Sequence, residues 1–98
     1  MDDEKIFITI NHLDDYGSTV YLRVGQKLKL KKDRDNCYDD EAIAVYDSHD
    51  TKTGYVANSV STVARGTLSA GRVYDRIAEE SNCLIRFIYD DMLIAQVV

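Results

Sequence analysis

Apolar and polar residues alternate in short runs along this chain, and the period changes clearly in only one place. Lys27-Leu28-Lys29-Leu30-Lys31 alternates strictly, which is the period of a strand with one wet face. Leu28 and Leu30 point one way, and Lys27, Lys29 and Lys31 form a row on the other. Lys5 to Ile10 is β-branched, apolar and too short for a helix. Thr19 to Val24 is a second strand candidate, closed by the tight turn Val24-Gly25-Gln26. Glu41 to Tyr46 predicts a buried strand, with Ile43 and Val45 in the core and Ala42 and Ala44 packed on its other face. Asp47 to Lys52 turns the chain, and Thr53 to Val56 pairs back. Over Ala57 to Arg65 the period shifts. Val60, Val63 and Ala64 at i, i+3 and i+4 predict a helix near residues 58–65, with Ser59 as N-cap and Gly66 as its stop. Ser69 to Ala78 reads either way, since Val73, Tyr74 and Ile77 suit a helix while Gly71 weakens it. Asn82 to Tyr89 and Met92 to Val98 predict a closing hairpin across Asp90-Asp91. Short strands at this spacing predict a mainly β fold, a small, partly open β-barrel with one or two short helices.

Length sharpens that picture. At 98 residues, the chain is one domain spanning residues 1–98, with one modest core. No apolar run approaches the roughly 18–20 residues of a membrane helix. The opening Met1-Asp2-Asp3-Glu4 is acidic where a secretory signal is basic. Two cysteines, Cys37 and Cys83, are too few for a disulfide scaffold. A reducing cytoplasm with both thiols free is the expected address. The formal net charge of −5 argues against indiscriminate coating of nucleic acid. Six of the twelve cations nonetheless lie between Arg23 and Arg34, so a local basic site stays open.

The densest polar segment runs from Asp33 to Glu41. Read as a calcium loop from Asp33, it has Tyr38 where glycine is needed and Ala44 where the closing glutamate belongs. The pattern fails. Asp39 and Glu41 have the residue types of an acid–base pair, but such residues in a solvated loop ordinarily form turns. His12 and His49 lie in separate loops, and no nucleophile triad, zinc cluster or phosphate loop has a signature. The expectation is a protein that is not an enzyme and holds no cofactor.

Asp35-Asn36-Cys37-Tyr38-Asp39-Asp40-Glu41-Ala42-Ile43-Ala44-Val45, followed by Gly54-Tyr55-Val56, resembles the HIRAN domain. The run from Gly54 to Ser59, with Thr62 to Thr67 and Ser69 to Arg72, is similar to that family's stand-alone bacterial branch. The resemblance implies an OB-like barrel and a role in binding the 3′ end of single-stranded DNA. It implies that Tyr38 stacks on the terminal base, that Asp39 accepts a hydrogen bond from the 3′-hydroxyl, and that Asn36 shapes their loop. An aromatic face holds any base, and a carboxylate suits a hydroxyl donor while repelling a terminal phosphate. Tyr16 is placed as a further aromatic platform, and Lys27, Lys29 and Lys31 as the cations beside the strand. Tyr55 is a stacking residue or, between Gly54 and Val56, a packing one.

The chain departs from the family pattern at Cys37, where proline is usual, and at Asp35. It departs again in the loop His12-Leu13-Asp14-Asp15-Tyr16-Gly17, where two acids stand in place of an arginine and aromatics. Those departures keep a second class of function in view, a protein-interaction or regulatory module that retains the barrel without its DNA site. In that reading Asp39 ties down backbone amides, Tyr38 covers a barrel edge, and the lysine row serves solubility and protects a strand edge. Arg65, Arg72 and Arg76 either extend a basic groove or pair with the nearby acids Asp75, Glu79 and Glu80 on the surface, the second being the default.

Overall fold

A computed structural model describes residues 5–11, 22–59, 61–89 and 92–98. Six antiparallel strands form a closed barrel in the order β1-β4-β3-β2-β5-β6. They are β1 (Phe7–Asn11), β2 (Lys27–Lys32), β3 (Ile43–Tyr46), β4 (Lys52–Val56), β5 (Glu80–Tyr89) and β6 (Met92–Val97). One short helix, α1 (Ala70–Val73), continues into a 3-10 turn at Tyr74–Arg76. The protein is mainly β, as its short alternating runs predict.

Alternation sets the inside of the barrel. Ile8 and Ile10, Leu28 and Leu30, Ile43 and Val45, and Leu93 are all essentially without solvent contact and belong to one core cluster. The lysines interleaved with Leu28 and Leu30 remain at least partly exposed. Ala42 and Ala44 are buried as well; Ala44 lies between Lys31 of β2 and Tyr55 of β4, whose larger side chains flank it.

Three expectations need correcting. The barrel is closed rather than partly open: β1 pairs with β4 at Ile10 and Asn11 and with β6 from Phe7 to Ile10, which joins the first and last strands. Of the strand expected over Thr19–Val24, residues 19–21 lie outside the described residues. Leu22 to Val24 form no strand there; Gln26 N donates to Arg23 O in a tight turn, with Gly25 at φ +90°. A side chain at that φ is strained, so glycine fits the turn.

The helix expected near 58–65 is a series of turns among its described residues; Val60 lies outside them. One helical turn starts, with Thr62 and Val63 donating to Ser59 O. It then stops, because Ala64 N donates to Thr9 Oγ1 (3.1 Å), which also hydrogen-bonds Thr67 Oγ1 (2.8 Å). A buried threonine on β1 thus captures the amide that would have continued the ladder. Gly66, at φ +91°, ends the turn. The helix forms a few residues later, where the Ser69 side chain accepts from Arg72 N.

Candidate nucleic-acid interface

Asn36 organises the loop between β2 and β3. Its Oδ1 accepts from Tyr38 N (2.8 Å) and Asp39 N (3.0 Å), and its Nδ2 donates to Asp33 Oδ2 (3.4 Å). Capture of two successive amides by one side chain is the turn-forming chemistry of asparagine. It orients the next two residues differently. The Tyr38 ring projects into solvent, with the residue 94% exposed. The Asp39 carboxylate turns back: Oδ1 accepts from Glu41 N (2.9 Å) and Oδ2 from Asn58 Nδ2 (2.8 Å). Asp39 therefore does tie down the loop, but Tyr38 covers no barrel edge.

These residues border a cleft of about 380 Å³ with Asn11 at the end of β1, Tyr55 on β4 and Asn58 just after β4. Tyr55 is half-buried. Its hydroxyl donates to Asp33 Oδ2 (3.0 Å) and accepts from Lys52 Nζ (2.9 Å), so it ties the cleft wall to the loop base. A carboxylate carries about four lone-pair sites, and protein donors take two of those on Asp39. The cleft thus combines a free aromatic face with a fixed carboxylate that can still accept.

The lysine row is not in this cleft. Lys29 Nζ pairs with Asp50 Oδ1 at 3.0 Å and, through that hydrogen bond, holds the Asp50 carboxyl below its usual range. Lys31 lies over the Tyr46 ring at 4.9 Å, and Lys27 is exposed at the start of β2. Tyr16 lies outside the described residues, as do Asp14 and Asp15. The structure thus gathers Asn36, Tyr38, Asp39 and Tyr55, and leaves Lys27, Lys29 and Lys31 on the outer face of β2.

The sequence reading missed Asn58 as a site residue, although it stands in the Gly54–Ser59 run. It also read Gly71 only as a weak helix residue. Gly71 N donates to Asn58 Oδ1 (2.7 Å), and a Cβ there would lie 2.7 Å from Glu41 Oε1 and 3.2 Å from Asn58 Oδ1. The Gly71 amide fixes Asn58, which in turn fixes Asp39, and a side chain at position 71 would have to displace the Glu41 carboxylate.

The HIRAN domain model matches residues 7–88, most of the chain and all of the cleft. This chain belongs to the HIRAN domain family. No curated protein and no solved structure matches it. HIRAN domains are nucleic-acid-binding modules, and in this one the family's Asn-x-Tyr-Asp motif is the lip of the cleft. Among the described residues of this HIRAN domain, no helix is long and apolar enough to cross a membrane.

Proposed function

We propose that this HIRAN domain binds the free 3′ end of single-stranded DNA in the Tyr38–Asp39 cleft and catalyses no reaction. The observation that carries the reading is the pairing of a 94% exposed Tyr38 ring with an immobilised Asp39 carboxylate in adjacent positions. A large aromatic held in water by backbone clamps gains nothing from burial, and stacking on a base gives it a partner. Asp39 is fixed before any ligand arrives, so accepting the terminal hydroxyl costs little further ordering. Tyr55 and Asn11 line the cleft beside them. A terminal phosphate is disfavoured by the same carboxylate. Lys29 and Lys31 take no part at the cleft itself, because each is engaged on the outer face.

Titration of a fluorescent single-stranded ten-mer at low salt tests this. Tyr38→Ala is expected to weaken binding about tenfold or more, from the roughly 1–3 kcal/mol of base–aromatic stacking. Native-like binding by Tyr38→Ala would place the strand outside this cleft, and no binding by the native protein would leave the protein-interaction reading as the better one.

A further inference from the structure

A second cleft, of about 330 Å³, adjoins the first across Asn58, which lines both. Its other walls include Arg65, Thr67, Ser69 and Arg72, and no lining residue is acidic. The two guanidiniums stand apart from others in the barrel. Arg34 binds Glu79 through three short contacts, and Arg86 spends its donors on Gln96 Oε1. With Glu79 occupied by Arg34, the pairing expected of Arg65 and Arg72 does not occur; neither guanidinium has a hydrogen-bond or ion-pair partner among the described residues. Two exposed arginines with unused planar forks in one acid-free cleft have the donor chemistry of a phosphate site.

The arrangement is also polar in direction. Asp39 puts a carboxylate at the first cleft, and Arg65 and Arg72 put cations at the second. Asn58 holds the two together by donating to Asp39 and accepting from Gly71 N, one residue before Arg72. A strand end has the same polarity, an uncharged hydroxyl followed one sugar away by a charged phosphodiester. Beyond Arg65, the surface runs into an apolar cleft bordered by Phe87 and Tyr89, 63% and 65% exposed.

We infer that Arg65 and Arg72 hold the phosphodiester backbone of the strand whose 3′ end occupies the Tyr38–Asp39 cleft, so that the strand leaves that cleft past Asn58. This rests on the proposed 3′-end reading, and the test separates the two. Binding of the ten-mer is measured across a salt series, with 3′-hydroxyl and 3′-phosphate ends, for the native protein, Arg65→Ala/Arg72→Ala and Arg65→Lys/Arg72→Lys. Loss of two phosphate contacts is expected to weaken binding about tenfold at low salt and to flatten the log–log salt slope by about 1.4. The preference for hydroxyl over phosphate should persist, and the lysine pair should restore the slope but not the full affinity. An alanine variant with native slope and affinity overturns the inference and leaves the 3′-end reading intact. A flattened slope on a protein without end preference supports the arginine site and removes the hydroxyl reading. No binding by the native protein overturns both. Unchanged thermal unfolding of the variants, expected for two exposed side chains, confirms that binding alone has changed.

Discussion

At the scale of single residues, exposure separates groups with similar chemistry. Cys37 and Cys83 look alike in the sequence, yet Cys37 is exposed on the cleft loop and Cys83 is buried in β5. Burial pushes the Cys83 thiol from its ordinary 9.0 up to about 12. A thiol-specific reagent at neutral pH should therefore label one cysteine in the folded protein and both after denaturation; equal labelling of both in the fold would contradict this. The same burial sets a pH dependence. The folded thiol stays protonated where the unfolded one ionises, so this contribution is complete below pH 9 and is lost progressively toward 12. Cys83→Ala should flatten that alkaline fall in the denaturant midpoint. Tyr38 is a similar case, since its identity is plain in the sequence while its exposure is seen only in the fold, where Asn36 captures the two amides that follow Cys37.

Local pattern predicted the elements well where one period stood alone. Lys27 to Lys31 alternates without exception, so β2 and its buried leucines were legible, as were β3 and the β5–β6 hairpin. The helix near 58–65 was misplaced because Thr9, some fifty residues away, supplies an acceptor that local spacing does not reveal. Thr9 is fully buried, so Thr9→Val strands the Ala64 amide and shortens the bonding of Thr67. We expect a cost of about 1–3 kcal/mol, read from the denaturant midpoint, with faster amide exchange at Ala64. Native exchange at Ala64 would show that the turn is held by other means.

For the whole molecule, closure and the site share one cause. β1 pairs with both β4 and β6, and that closure brings Asn11 to Tyr55 and Asn58. The Asn-x-Tyr-Asp lip was legible because its residues are neighbours in sequence; Asn58, Gly71 and the arginine cleft were not, because only the closed barrel and the packed α1 bring them together. With a net charge of −5, long-range attraction contributes little to capture of a polyanion, so selectivity must come from contacts at the end itself. Comparison of one ten-mer carrying a 3′-hydroxyl with the same strand carrying a 3′-phosphate, at low ionic strength, reads those contacts most directly. The account predicts tighter binding of the hydroxyl end, with Asp39→Asn narrowing the difference by removing the charge that repels the phosphate. Equal affinity for the two ends in the native protein would contradict it.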